Sequence, residues 1–293
     1  MKSNKIRKIL KKLKLINNDN IKLFSHGTRD NKNIKVYRDE VTGVIFIDDY
    51  LTEKEIYKSG KYRKEKIKLS GKPEYERFKD LKRRLSNYSQ FYVGKRIIDF
   101  GCGAGDFLYS IKNQCSESCG IEIQRDYRYN LEEKGIHCCE NLNELKDKFY
   151  DSAFAFHSIE HIDDPVSTLR IIKNKLKKGG FVVIEVPHAN DFLLSLLKND
   201  AFKKFTLWSQ HLILHTRVSL NTFLKEAGFS DIIVQGVQRY TVSNHLKWLA
   251  ENKPGGHKSI ISSLDSHMLN NAYEASLQKL DATDTLIAIA TYN

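Results

Sequence analysis

The spacing of apolar and polar residues changes repeatedly along this chain, and the changes mark its elements. Short apolar runs of strand length recur through its middle: Ile97-Ile98, SCGIEI at 118–123, IHCCEN at 136–141, Ser152–Phe156 and Phe181–Val186. Between them, apolar residues fall at helical intervals, with one helix opening near Pro165 and another covering Ser219–Ala227 before Gly228. Strands that alternate with helices in this way predict a parallel sheet covered on both faces. Further on, SDIIVQGVQRY at 230–240 predicts a sixth strand, SNHLKWLAENK a helix capped near Ser243, and DTLIAIATYN a final strand. The opening MKSNKIRKILKKLKLI places Ile6, Ile9, Leu10, Leu13 and Ile16 on one helical stripe. Residues 17–33 read as polar loop, and KVYRDEVTGVIFID reads as two strands around Thr42-Gly43. From Thr52 to Gln90 a charge-rich stretch with Tyr57, Tyr62, Tyr75 and Tyr88 reads as two helices parted near Gly71 and Pro73.

The chemistry concentrates in IIDFGCGAGDF, residues 97–107, where an apolar strand runs through three alternating glycines into an apolar helix. Gly101, Gly103 and Gly105 let the backbone turn sharply and approach a ligand without Cβ contacts, and Asp99 sits where it can organise the turn. A dinucleotide fingerprint G-x-G-x-x-G would need glycine at Asp106, which argues against a nicotinamide cofactor. Glu122 closes the second strand, where a carboxylate can accept both hydroxyls of an adenosine ribose. Glu140 or Asn141 closes the third. In an open parallel sheet such ligands lie beyond the carboxyl ends of the strands.

In this order the residues resemble class I S-adenosylmethionine (SAM)-dependent methyltransferases, over about residues 86–293. FHSIEHIDDP at 156–165 resembles the fourth-strand motif of the small-molecule members. TLWSQHLILHT, LKEAGF and QRYTVSNHLKWLAENKPGGH look like the carboxyl-terminal half of a narrower group that modifies sugars and bacterial surface polysaccharides. TRDNKNIKVYRDEVTGVIFID resembles the leader of that group. The resemblance implies an α/β, Rossmann-like seven-stranded methyltransferase sheet in the order 3-2-1-4-5-7-6, its last strand antiparallel. It implies SAM as cofactor, held by Asp99, Gly101, Gly103, Gly105, Glu122, Ile123, Glu140, Asn141 and His157. Residues 1–85 then form a basic leader with a small hairpin and helical lobe. Residues 86–293 form the SAM-binding domain, with lid insertions at 188–216 and 241–282.

Methyl transfer to a hydroxyl needs alignment and removal of one proton, a task for which a neutral imidazole is suited near pH 7. His211, His188 and His161 are the candidate bases. Each has a packing role as its alternative. His211 and His215 would share one face if their segment were helical, a spacing also compatible with a metal, but no acidic partners are evident and no metal is expected. Arg239, Asn244, His245 and Trp248 are candidates for binding a sugar or phosphate, through bidentate contact and stacking; Trp248 could equally be lid core. The expected acceptor is a sugar, a nucleotide-sugar or another small polar precursor of a surface glycan.

Charge changes the picture at one end only. Residues 1–94 carry 25 basic and 12 acidic side chains, against 23 and 24 in the remainder, so the predicted catalytic domain is nearly neutral. The basic helix either docks by its apolar stripe or touches an anionic membrane, nucleic acid or acidic partner. An RNA-directed methyltransferase or noncatalytic RNA binder is therefore the alternative function, disfavoured by the neutral domain and the lack of a recognisable RNA-binding module. No apolar stretch reaches 18 residues, and no apolar region with a small-residue cleavage site follows the basic opening. The five cysteines, Cys102, Cys115, Cys119, Cys138 and Cys139, are odd in number and fall mostly in strands and turns. Reduced thiols in a cytoplasmic protein are expected, and Cys115 with Cys119 has no second pair at zinc-finger spacing.

Overall fold

The computed structural model describes residues 5–48, 58 and 75–293. The predicted break at Gly71 and Pro73, with Tyr57 and Tyr62, lies outside the described residues. The apolar runs form β4 (Arg96–Phe100), β5 (Glu117–Ile121), β6 (His137–Cys139), β7 (Tyr150–Phe156), β8 (Leu176–Pro187), β10 (Ser230–Val237) and β11 (Thr285–Tyr292). They build one sheet in the order β6-β5-β4-β7-β8-β11-β10, which is 3-2-1-4-5-7-6. β11 runs antiparallel to both neighbours, and the other paired strands in this sheet are parallel.

Strand alternation sorts the core onto the two faces. Ile98, Ala153, Ala155, Val182, Ile184, Leu286 and Ala288 point to one face, under helices Pro165–Lys175 and Arg217–Ala227. Ile97, Phe154, Val183 and Ile287 point to the other, under Tyr88, Phe91, Phe107 and Leu131. Caps set the helix boundaries: Asp164 accepts from Ser167 N before the Pro165 helix, and Thr216 heads a capping box with Ser219, so that helix opens at Arg217, two residues before the expected start. β8 also starts early, at Leu176, because Leu176 pairs with Tyr150 before a register shift places Phe181 opposite Ser152.

The leader departs from expectation. Residues 21–26, where the polar pattern predicts loop, form β1 (Ile21–His26), which pairs with β2 (Lys35–Asp39), itself paired with β3 (Ile45–Ile47) as expected from the Thr42-Gly43 turn. No residue of β1 is fully buried, so it lacks the apolar alternation that marks a strand in sequence. A fourth strand, β9 (Ile213–Leu214), completes this sheet from the 188–216 region. The segment around His211 and His215 is thus a turn and a strand rather than a helix, and the shared helical face does not exist. Helix Ile6–Lys12 docks by its stripe, with Ile6 and Leu10 at 0% exposure in the main core.

Helix Tyr75–Asn87 is anchored on a carboxylate in the sheet. Glu185 of β8 has no solvent exposure, and its oxygens accept from Arg83 (2.7 and 2.9 Å), Arg84 (2.8 and 3.0 Å) and the Tyr88 hydroxyl (2.9 Å). Burial alone would raise this carboxyl, but the Arg84 and Arg83 charges outweigh it and hold it well below the usual range. Asp80 of the same helix pairs with Arg83 and with Arg239 beyond β10. Glu185→Ala should therefore destabilise the protein by about 3–5 kcal/mol, the usual effect of removing one partner from a buried ion pair. Equilibrium urea unfolding monitored by circular dichroism measures it, and a change under about 1 kcal/mol would show that the helix docks by its apolar contacts instead.

Candidate cofactor and acceptor site

The glycine turn is built from local sterics. Gly101, Gly103 and Gly105 all have positive φ, at +73°, +55° and +72°. At Gly101 a Cβ would stand 2.6 Å from Ser158 Cβ, because Ser158 hydrogen-bonds the Phe100 carbonyl at 3.0 Å and packs the loop after β7 onto the turn. At Gly105 it would stand 2.2 Å from Leu131. Gly103 differs: among the described residues nothing lies within 4 Å of its Cβ direction, leaving an open cradle there.

Glu122, 7% exposed at the end of β5, accepts from Gly103 N at 2.9 Å and from Gln124 N at 2.8 Å. Two backbone donors thus fix its carboxylate beside the turn. The Ile123 carbonyl accepts from Arg128, which also reaches Glu140 at 3.1 Å. Lys58 binds Glu140 at 2.7 Å, and these cations hold that carboxyl below its ordinary range, Lys58 most strongly. Asn141 caps the turn Leu142–Glu144 in a reciprocal capping box. Asp99, 3% exposed, is pushed up to about 7, chiefly by burial, with Arg84 opposing and Glu122 adding to the rise.

Beyond β7 a second cluster forms. His157 takes a positive φ of 49°, donates its backbone N–H to the Glu185 carbonyl at 2.8 Å, and brings Nδ1 within 3.5 Å of Glu160. Glu160 is wholly buried, and neither of its oxygens has a hydrogen-bond partner among the described residues. Burial would raise it, yet the surrounding imidazoles His157, His161 and His211 lower it to about 2. His161 hydrogen-bonds the Gln210 carbonyl through Nδ1 at 2.8 Å and lies 5.0 Å, ring to ring, from His211. Donor atoms of Glu160, His161 and His211 all lie within 4.8 Å of one another. The leader positions His211. Asp30 accepts from Ser209 N at 3.0 Å, Arg29 stacks over Trp208, and Leu212 N donates to the Glu160 carbonyl at 2.9 Å.

The remaining candidates lie elsewhere in the contact network. His188, 1% exposed, hydrogen-bonds the Thr283 carbonyl at 2.9 Å, and its Nε2 is 3.7 Å from Asp281. Its backbone bridges His215, and burial lowers it to about 4. Arg239 spends its guanidinium on Asp80. Asn244 accepts from Gly255 N at 3.0 Å, His245 bonds Tyr273 at 2.8 Å, and Trp248 packs against Phe202 and Phe205. These side chains are paired within the protein itself. Arg239 and Asp80 also line a cleft with Tyr75, Lys79 and His257. Sequence reasoning passed over Glu160, although it stands inside the FHSIEHIDDP motif. It named neither Arg83 nor Arg84, although their charge-rich stretch reads as helix.

A seven-stranded sheet of this order with a glycine turn followed by a strand-end carboxylate defines a class I SAM-dependent methyltransferase domain, and the open cradle at Gly103 fits a cofactor. Residues 74–234 match the methyltransferase-domain family, and the chain belongs to it. A ubiquinone biosynthesis O-methyltransferase of Aeromonas salmonicida is 30% identical over 117 residues, 36% of this chain and 49% of that protein. A tRNA U34 carboxymethyltransferase of Pseudomonas fluorescens is 28% identical over 162 residues, 51% of this chain and 50% of that protein. The chain thus spans about half the length of either relative. A crystal structure of a SAM-dependent methyltransferase from Archaeoglobus fulgidus superposes with a TM-score of 0.51 at 23% identity, over 73% of this chain and 94% of that one, and shares the fold.

Gly103→Val should strain the turn at this positive φ and weaken SAM binding at least about tenfold, because its side chain enters the open cradle. Glu122→Ala should weaken it similarly, by loosening the turn as well as removing a charged acceptor. Titration calorimetry decides both, and undiminished affinity would move the cofactor elsewhere. His211 yields the pH expectation. Burial favours its neutral form, helped by the His161 charge and opposed by Glu160, and lowers it to about 3. Its imidazole should therefore stay unprotonated from about pH 8 down to about pH 5, whereas an ordinary histidine titrates near 6.5. The His211 side-chain NMR resonance tests this, and a midpoint near 6.5 would contradict it.

Proposed function

We propose that the protein transfers a methyl group from SAM to a hydroxyl oxygen of a small polar acceptor. The observation that carries this reading is the pairing of the glycine turn and Glu122 with the Glu160, His161 and His211 cluster, on loops beyond the carboxyl ends of neighbouring strands. Bound SAM supplies an electrophilic sulfonium methyl. Asp99, the glycines at 101, 103 and 105, Glu122 and Ile123 hold the cofactor, with Glu140, Asn141 and His157 at its margins.

His211 takes the hydroxyl proton in this reading. Its imidazole is neutral near pH 7 but a weak base, because burial lowers it, and the adjacent Glu160 offsets part of that cost when the ring takes the proton. His161, fixed by the Gln210 carbonyl, orients the cluster. His188 is assigned to holding the strand end, since its Nδ1 is spent on the Thr283 carbonyl. Arg239, Asn244, His245 and Trp248 act on the acceptor indirectly, by shaping the lid and the Asp80 cleft. A sugar or nucleotide-sugar acceptor, in a cytoplasmic step of surface-glycan synthesis, rests on the sequence resemblance of residues 206–257. The division into a leader, residues 1–85, and a catalytic domain with lids at 188–216 and 241–282 belongs to the same proposal.

RNA is the second reading, favoured by the similarity to tRNA U34 carboxymethyltransferases and by Lys8, Lys11, Lys12 and Lys14, exposed on or just after the first helix. Truncating that helix would remove Ile6 and Leu10 from the core, so charge substitution is the cleaner probe. An assay by mass spectrometry with SAM and a panel of nucleotide-linked sugars and tRNA tests the proposal. His211→Ala should lower turnover by about 10²-fold or more while SAM affinity holds. Wild-type turnover in that variant would remove His211 from the chemistry. Methylation of tRNA alone, with affinity falling steeply in salt and on Lys8, Lys11 and Lys14→Ala, would establish the second reading instead.

A further inference from the structure

We propose that Cys119, His137 and Cys139 form a zinc site clamping β6 to β5 at the edge of the large sheet. The two strands are parallel, with Cys119 opposite His137 and Ile121 opposite Cys139. His137 and Cys139 are two residues apart on one strand and so point to the same face, where Cys119 meets them; Cys138 points to the other face and meets Cys102. Cys139 Sγ lies 3.9 Å from Cys119 Sγ and 3.4 Å from His137 Nε2, and the three donors all lie within 4.8 Å of one another.

Zinc fits these separations. With Zn–S near 2.3 Å and Zn–N near 2.0–2.1 Å at tetrahedral angles, the sulfur–sulfur edge is about 3.8 Å and the sulfur–nitrogen edge about 3.6 Å. Two sulfurs and one imidazole are the soft donor set that selects zinc over magnesium or calcium. The thiols are buried, at 0% and 7% exposure, while His137 is exposed and leaves the fourth position to water. Coordination forms two Zn–S bonds and one Zn–N bond and releases the two thiol protons to solvent. The clamp would sit directly beneath Glu122 and Glu140, which follow the two strands.

The test uses the full chain, reduced and freed of metal, with cobalt(II) as the probe. One equivalent should give thiolate-to-cobalt charge-transfer and tetrahedral ligand-field bands, which zinc abolishes by displacement. Cys139→Ser should lose the bands. His137→Ala changes only an exposed residue, so it should fold and weaken zinc at least about tenfold, a floor set by the effect of losing even an outer-shell group. Cys115→Ser should change nothing. Absence of bands in the wild type, their persistence in both ligand variants, or isolation of the chain with Cys119 and Cys139 joined as a disulfide under reducing conditions would overturn the proposal.

Discussion

A single buried carboxylate organises the side of the molecule where the cofactor loops gather. Glu185 sits in β8 without solvent, and an ion so placed is tolerated only when charged donors surround it. Arg83, Arg84 and Tyr88 meet that demand from one helix and the residue just after it, so the helix has one orientation in which its arginines are satisfied. Everything else on that helix follows. Asp80 then faces Arg239, Arg77 reaches Asp106 at the start of the helix after the glycine turn, and Arg84 opposes the burial of Asp99. The backbone carbonyl of Glu185 also fixes His157, so the same residue meets one cluster of candidate site residues directly and the other through the helix it anchors.

The two clusters differ in how they were visible in sequence. The glycine turn is local: three positive-φ positions within five residues can be filled cheaply only by glycine, and the spacing is legible without a fold. Glu122 was legible because it ends a strand at a fixed interval after the turn. Glu185 with Arg83 was not, since about a hundred residues separate the partners and an arginine pair on a charged helix looks solvent-facing. His211 was legible as a candidate only through resemblance. Its actual setting depends on Asp30 and Arg29 of the leader, which no spacing rule connects to residue 211.

Residues 239–248 show the converse limit. Arg239, Asn244, His245 and Trp248 carry the residue types that bind sugars, but the same hydrogen-bonding and stacking capacity is consumed within the protein, by Asp80, Gly255, Tyr273 and Phe202. Side-chain chemistry is visible in a sequence, whereas whether it is already satisfied is a property of the packing. The edge of the sheet illustrates the same limit: Cys119, His137 and Cys139 converge only because two short strands lie side by side.

The small sheet has a consequence for synthesis. β3 closes on β9, Ile45 against Leu214, so its edge partner is made about 170 residues later. At ribosomal speeds of about 5–20 residues per second, the nascent hairpin waits on the order of 10–30 s with Ile45, Phe46 and Ile47 on an open edge. Such an edge is a template for pairing with other chains. Slow translation between β3 and β9 prolongs its exposure.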